Sequence, residues 1–313
     1  MAEGLIDPEP YYSWLASELG LAYVSDIDPD EVVRLPSMDV LLHRDGPLRL
    51  SRAGRQVTVI VPEALNLEDH KARLTEMPAL RRTLVVASPA TIRRAVWQAG
   101  ANDRVRKTTF ELDQDRGDAS ARRVMTGPQG FVLATAVYVS ATAFMLLPSL
   151  AFTVLHIFLT LFFSGGILLR LSALVASLFK PKRPRPVDQT GGGKLPIYTL
   201  LIALHDEAEM APALVSRISA LRWPKSLLDI KYVCEADDEA TIMALQAQNL
   251  GPECEIILTP AFGPRTKPKA LQYALQGARG SLIAVYDAED KPAPGQLLEA
   301  WAAFRDGDAR LGC

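Results

Sequence analysis

The sequence predicts an α/β protein, and two features of its pattern support this. From Leu195 onward, apolar runs of strand length alternate with helical patterns, as in a Rossmann-like, doubly wound parallel sheet. Between 124 and 169 the chain has no Asp, Glu, Lys or Arg, and this exceeds the roughly 20 apolar residues that one membrane span needs. We predict five segments: a small α/β module (1–100), a charged connector (101–123), two transmembrane helices (124–179), a basic Pro/Gly-rich linker (180–194) and an α/β domain (195–313).

Composition excludes several classes of protein. The net charge of the 313 residues is -2, so no nucleic-acid partner is expected. The 3 cysteines have no paired spacing, which argues against a disulfide scaffold or a structural zinc site. Acids and prolines within Met1–Pro10 argue against a secretory leader.

The first hundred residues contain patterns for short helices and strands. Ser88 is a suitable N-cap with Pro89 at the first helical position, which predicts a helix over 90–99 ending at Gly100. Gly54 supports a hairpin turn within 49–62. The other predicted elements are a helix at 11–19, a strand at 21–24, an alternating, half-buried segment at 38–44 and a strand at 84–87.

The stretches ELGLAYVSDIDPDEVVRLP, RQVTVIVPEALN and LVVASPATIRRAV resemble the N-terminal module of type II secretion and pilus ATPases, the MshEN-like or GspE N-terminal domain. Members of that family that bind cyclic di-GMP use an RLGxxLxxxG-type segment. No such segment precedes Trp14. A docking or packing role is therefore favoured over binding of cyclic di-GMP.

The uncharged segment predicts a helical hairpin. Its spans run over 130–147 and 150–169 with the turn at Pro148, and 171–179 either lies on the membrane surface or extends the second span. Basic residues flank both outer ends, so both ends are expected on the cytoplasmic side of the membrane. The expected location is a bacterial inner membrane. The segment 102–123, with charges of both signs, is expected to be a solvated connector.

In the last domain, acidic residues follow successive predicted strands. The strands are expected at 197–204, 230–234, 255–258 and 281–286, with helices starting near 208, 239 and 267 between them. The last strand is an unbroken apolar run, as expected of a strand covered on both faces. Carboxyl ends of parallel strands share one edge, where ligands bind. That edge should collect these acids and lysines: Asp206, Glu207, Glu235, Asp237, Asp238, Asp287, Glu289, Asp290, Lys267 and Lys269.

Carboxylates with lysines suit a metal-bridged diphosphate. Hard oxygen ligands hold Mg²⁺ or Mn²⁺, and a helix N-terminus with lysine stabilises phosphate charge. The chain has no GxGxxG or GxxxxGK[ST] motif, which disfavours a dinucleotide oxidoreductase or a P-loop NTPase.

The segments IYTLLIALHDEAE, KYVCEADDEAT, TKPKALQYAL and VYDAEDKPAPGQL resemble motifs of membrane-bound family 2 glycosyltransferases with the GT-A fold. The branch most similar is cellulose-synthase-like and bacteriophage N4 adsorption protein B-like. The resemblance implies a nucleotide-sugar donor, with UDP-sugar expected, and a glycan or lipid acceptor. It implies donor-binding roles for Glu207, Asp237 or Asp238, Lys269 and Asp287. Asp287 and either Glu289 or Asp290 would bind the metal.

In that family a later TED-like motif supplies the catalytic base and a QxxRW-like motif holds the acceptor. Neither follows Asp290, so we name no catalytic residue and expect the base to lie beyond Cys313. The expectation is a chain truncated within the transferase domain, with little or no transfer activity of its own. Two other interpretations remain open at this stage. One is a membrane receptor or adaptor without catalysis, and the other is a component of a secretion machinery.

Overall fold

The computed structural model describes residues 6–120, 124–179 and 194–307. They divide into two compact units. One contains the described residues up to Glu111 together with those from 194 onward, and the other contains those from Leu112 to Phe179. The expected linker at 180–194 lies, except for Lys194, outside the described residues, as do the basic flanking residues Arg122 and Arg123.

The end of the printed sequence, 308–313, also lies outside the described residues. The structure therefore does not test the expectation that the transferase domain is cut off at Cys313 and that the catalytic base lies beyond it. Both statements stay predictions. The last element that the structure places is the helix Gln296–Asp306.

The N-terminal module is built around a four-stranded sheet with strand order β1-β4-β3-β2. The predicted hairpin is confirmed, because β2 and β3 pair antiparallel and Ala53 and Gly54 both have positive φ at the turn. The strand-like alternation expected at 38–44 is wrong, because Met38–Leu42 forms a 3₁₀ helix that buries Met38 and Leu42. The elements are α1 (Pro8–Leu19), β1 (Ala22–Tyr23), β2 (Leu48–Arg52), β3 (Arg55–Ile60), α2 (Leu67–Glu76), β4 (Leu84–Val86) and α3 (Pro89–Ala99).

Helix α4 (Ala101–Asp115) follows α3 directly. The Ser88 side chain caps α3 as predicted, by accepting a hydrogen bond from the Thr91 N–H at 3.2 Å. The prediction of a solvated connector is wrong for the first half of α4, because Arg104 and Val105 are buried. Arg104 donates to the Val96 carbonyl at 2.6 Å and to Asp39 at 2.6 Å, so its charge is neutralised inside the fold.

The second sheet is wholly parallel, with order β7-β6-β5-β8. The expected alternation of strands and helices is therefore confirmed. One detail is wrong: the last strand is not covered on both faces, since it lies at an edge of the sheet and leaves Ile283 44% and Val285 51% exposed. The elements are β5 (Tyr198–Leu204), α7 (Ala211–Ser219), β6 (Leu228–Glu235), α8 (Glu239–Gln246), β7 (Cys254–Thr259), α9 (Lys267–Leu275), β8 (Leu282–Tyr286) and α10 (Gln296–Asp306).

The N-terminal module and the parallel sheet share one hydrophobic core. Trp97 of α3 packs on Tyr273 of α9 with ring centroids 5.2 Å apart, and both belong to a cluster that includes Leu201, Val233 and Ile257 of the sheet. A Cβ on Gly277 would lie 2.4 Å from the Trp97 ring, so only glycine allows this approach. The module thus covers one face of the sheet together with α9, while α7, α8 and α10 pack on the other face.

The second unit contains two apolar helices, α5 (Gly127–Leu146) and α6 (Pro148–Phe179). Both are long and apolar enough to cross a membrane by length and composition, and neither is buried within the protein. The turn occurs at Pro148 as predicted, and Phe144 and Phe152 form an edge-to-face pair across it with centroids 5.0 Å apart. Residues 171–179 continue α6 without a break, in agreement with the extended second span.

Candidate functional site

The order of the parallel strands defines where a ligand can bind. Across the sheet the strands lie in the order β7, β6, β5 and β8. The chain therefore adds β6 and β7 on one side of β5 and then β8 on its other side. The direction of winding therefore reverses between β5 and β8, and in doubly wound sheets ligands bind outside the carboxyl ends of the strands at such a reversal. The loop after β5 and the loop after β8 form this crevice.

The loop after β5 is held against the start of α8. Asp206 has a φ of 55°, a left-handed conformation that Asp tolerates better than most residues. Its N–H donates to Asp238 Oδ2 at 2.8 Å, and the next N–H, of Glu207, donates to Thr241 Oγ1 at 3.0 Å. These bonds fix the position of Glu207 relative to the end of β6.

Asp238 and Asp237, adjacent in sequence, have different surroundings. Asp238 is buried and caps α8 by accepting from the Thr241 N–H at 3.2 Å. Its burial favours the neutral acid, but the hydrogen bonds from Asp206 and Thr241 outweigh this effect and hold the pKa of Asp238 below its usual value. Asp237 is exposed and forms an ion pair with Arg265. Asp238 therefore shapes the loop, while Asp237 faces solvent.

Glu207 differs from Asp238 in that its pKa is raised. Burial raises its pKa, Lys267 and His205 oppose that rise, and Glu289 and Asp238 add to it. Its Oε2 atom is buried without a hydrogen-bond partner among the described residues. A carboxyl with an unsatisfied oxygen and like charges nearby is costly unless another group pairs with it.

The loop after β8 faces the N-terminus of α9. Asp287 forms an ion pair with Lys267, the first residue of that helix, and its N–H donates to Asp290 Oδ2 at 2.7 Å. Thr266, the N-cap residue, makes no side-chain capping bond, so the N–H groups of Lys267 and Lys269 have no partner from it, and Pro268 between them has no N–H. A free helix N-terminus with a lysine provides positive potential for an anion.

Lys269 lies in a different environment from Lys267. Its Nζ is 3.0 Å from Glu235 Oε1 and donates to the Phe262 carbonyl at 3.2 Å, and the side chain is 4% exposed. This buried pair joins α9 to β6. The expected contact of Lys269 with a diphosphate stays a prediction, and Lys267, whose side chain is 38% exposed, is better placed for that role.

Oxygen and nitrogen ligands for a cation occur at two places in this crevice. Among the described residues, His205, Asp206 and Asp238 bring one ligand atom each within 4.8 Å of one another. Asp287, Glu289 and Asp290 form no such group of three. A Mg²⁺ or Mn²⁺ ion held through one or two carboxylates and substrate phosphates needs no third protein ligand, so Asp287 with Glu289 or Asp290 fits this mode of binding.

The crevice thus brings together most of the residues expected from sequence. Asp238 and Glu289 are both close enough to influence Glu207 electrostatically, and Asp287 forms an ion pair with Lys267 of α9. Glu235 is withdrawn into the buried pair with Lys269. Lys267 was expected at this edge with the acids, as a lysine at a helix N-terminus. His205 was not expected to be a ligand, although it directly follows a strand, which is the signal that could have identified it.

No protein-family model matches the chain, and no curated protein matches it either. Among solved structures, it is similar to the mannosyltransferase PcManGT from Pyrobaculum calidifontis, determined in complex with GDP-mannose and Mn²⁺. The two are 27% identical, the match covers 48% of this chain and 43% of that enzyme, and the TM-score is 0.38. The chain thus spans less than half of the length of that enzyme. Because so low a TM-score does not establish a shared fold, the assignment of function depends on the site itself.

Proposed function

We propose that the crevice binds the metal-bridged diphosphate of a nucleotide-sugar, as the donor site of a membrane-bound glycosyltransferase of the family 2, GT-A type. The acceptor is a glycan or a lipid, α5 and α6 span a bacterial inner membrane, and the site faces the cytoplasm.

One observation carries the proposal: the ionisable groups of the β5 and β8 loops meet at the point where the sheet reverses its winding. Glu207 lacks a partner for Oε2 among the described residues, and Asp287 is paired with a lysine at an uncapped helix N-terminus. This arrangement offers negative charge for a cation and positive charge for a phosphate within one crevice.

The roles of the residues follow from their positions. Asp287, with Glu289 or Asp290, would hold the divalent metal, which supplies neutralisation of the phosphate charge when bound. Lys267 and the α9 N-terminus would bind the diphosphate oxygens. Asp237, exposed beyond β6, would contact the ribose or base. The loop bonds from Asp206 and Glu207 to Asp238 and Thr241 keep this frame rigid.

Titration calorimetry on the full chain in detergent tests the proposal, with UDP-glucose and GDP-mannose as probes in the presence and absence of Mn²⁺. We expect binding of at least one probe that depends on Mn²⁺ and weakens at least about 10- to 100-fold in Asp287→Asn, because loss of a group that merely orients a metal ligand already costs this much. Glu299→Gln, which changes an acidic residue of α10, is the matched control and should bind like the wild type. Equal binding by wild type and Asp287→Asn would contradict a donor site at this position.

A receptor or adaptor without catalysis would respond differently. Such a protein would keep its partner in the Asp287→Asn variant and show no Mn²⁺-dependent binding of nucleotides in the wild type. The described structure provides no observation that favours this function or a role in secretion over donor binding.

A further inference from the structure

A second cleft lies on the opposite flank of the sheet, between the N-terminal module and the edge strand β7. Its volume is about 1300 Å³, larger than the roughly 300–1000 Å³ of most small-molecule pockets. Helix α3 lines one side through Arg93, Arg94 and Trp97, and β7 lines the other through Cys254, Ile256 and Leu258.

Strand β7 presents unpaired backbone groups to this cleft. Its only neighbour among the described strands is β6, and the carbonyls of Glu253 and Thr259 accept hydrogen bonds from that side. Because the groups of successive residues alternate in direction, the N–H and C=O groups of Ile256 and Leu258 point away from β6. The described residues supply no backbone partner for them.

Side chains in the cleft also lack hydrogen-bond partners. Arg93 and Trp97 are each 8% exposed. The Nε1 of Trp97 makes no hydrogen bond to the described residues, and the Nε of Arg93 makes none either, although Glu255 Oε1 lies 3.9 Å from it. Glu253 likewise has a buried Oε2 without a hydrogen bond. The cleft therefore offers both donors and an acceptor. Its charged lining is balanced, with these basic and acidic residues: Arg93, Arg94, Lys225 and Arg279 against Asp7, Glu9, Glu253 and Glu255.

We propose that this cleft binds an extended peptide segment of a partner protein, which adds a strand to the free edge of β7. The carbonyl groups of a peptide can accept from the N–H groups of the lining, and its N–H groups can donate to Glu253 and to the outward carbonyls of β7. A peptide backbone also carries no net charge, which suits a lining with equal numbers of basic and acidic residues. A phosphorylated ligand fits the balanced lining less well. The sheet of a second copy fits this edge less well than a single segment, because the N-terminal module occupies the other wall of the cleft. The proposal does not depend on the donor site.

Selection of random 12-residue peptides displayed on phage, against the full chain in detergent, tests this proposal. The decisive variant is Ile256→Pro, which removes an outward N–H but leaves the ladder to β6 intact, since that ladder uses the alternate residues. We expect the selected peptides to bind the wild type and Ile256→Val equally. We expect binding at least about tenfold weaker to Ile256→Pro, because a backbone hydrogen bond is lost and the ring blocks the edge.

Hydrogen exchange provides a second readout that needs no variant. In the free protein, the amides of Ile256 and Leu258 should exchange faster than that of Ile257, and a bound peptide should slow both. The proposal is overturned if no peptide prefers the wild type to Ile256→Pro, if bound peptides leave exchange in 254–259 unchanged, or if crosslinks at β7 join two copies of the chain.

Discussion

Both the amino end and the carboxyl end of the parallel sheet carry charged residues, but the two ends differ in how completely these residues are paired. At the amino end, Asp229 and Lys231 are fully buried, and Asp229 accepts from Thr199 Oγ1 at 2.9 Å and from Arg279 Nε at 2.9 Å. At the carboxyl end, Glu207 has a buried oxygen without a partner among the described residues, and the pair of Asp287 lies at the surface. Charge alone therefore does not identify a functional site in this protein. The two ends differ in this respect: Asp229 has hydrogen-bond and ion-pair partners, whereas Glu207 has an oxygen that lacks one among the described residues.

The buried network at the amino end also includes a glycine and a residue of the N-terminal module. The Gly280 N–H donates to Thr199 Oγ1 at 2.8 Å, and a Cβ on Gly280 would lie 2.5 Å from the Thr199 nitrogen. Lys231 continues the network to Glu255 at 2.8 Å, and Arg93 of α3 reaches Glu255 at 3.9 Å. The amino end is thus a structural network that joins the module to the sheet.

The largest expected effect is on stability, at the amino end. Asp229→Ala leaves Lys231 and Arg279 without their shared carboxylate, and removal of one partner of a buried ion pair costs about 3–5 kcal/mol. Thermal unfolding of the full chain measures this loss. A melting temperature within about a degree of the wild type would contradict the structural role of the network.

The next largest expected effect is also on stability and concerns the contact between the N-terminal module and α9. Gly277→Ala forces a methyl group against Trp97, and overpacking of this kind costs about 1–3 kcal/mol. The cost should fall in a Trp97→Leu background, where the ring is absent. Denaturant unfolding of both single variants and the double variant measures the coupling, and strictly additive effects would show that the two residues do not meet.

A smaller expected effect is on the pH dependence of stability, which should have opposite signs for Asp229 at the amino end and Glu207 at the carboxyl end. Burial alone would raise the pKa of Asp229, but Lys231 and Arg279 outweigh it and hold this pKa below its usual value. The contribution of Asp229 to stability is therefore present above the unfolded-state pKa of about 3.9 and is lost as pH falls through the lower folded value. Burial raises the pKa of Glu207, so protonation of Glu207 favours the folded state and the sign is reversed.

Melting temperatures of Asp229→Asn and Glu207→Gln from pH 3 to 7 test these signs. Relative to the wild type, the deficit of Asp229→Asn should shrink below about pH 4. Glu207→Gln should be at least as stable as the wild type at pH 7, and any advantage should disappear on acidification. The same direction of change in both variants would contradict the contrast between the ends.

Local patterns predicted the elements of the sheet and the crowding of Glu207, Asp238 and Asp287 at one edge, because each of these acids follows a strand closely. They did not predict the burial of Lys269, since two lysines two residues apart at a helix start differ only in the phase of the helix. They also did not predict that the module packs on α9. The contact of Trp97 with Gly277 joins residues far apart in sequence and leaves no periodic signal.

Lysine labelling tests the central claim most directly, namely that the diphosphate binds at the N-terminus of α9. Lys267 and Lys225 are both accessible, with side chains 38% and 50% exposed, but Lys225 precedes β6 at the amino end. Acetic anhydride labelling of the full chain, read by mass spectrometry, should show that Mn²⁺ with UDP-glucose or GDP-mannose protects Lys267 and leaves Lys225 unchanged. Labelling of Lys267 that is unaffected by either nucleotide-sugar with Mn²⁺, or equal protection of both lysines, would contradict a donor site at the carboxyl end of the sheet.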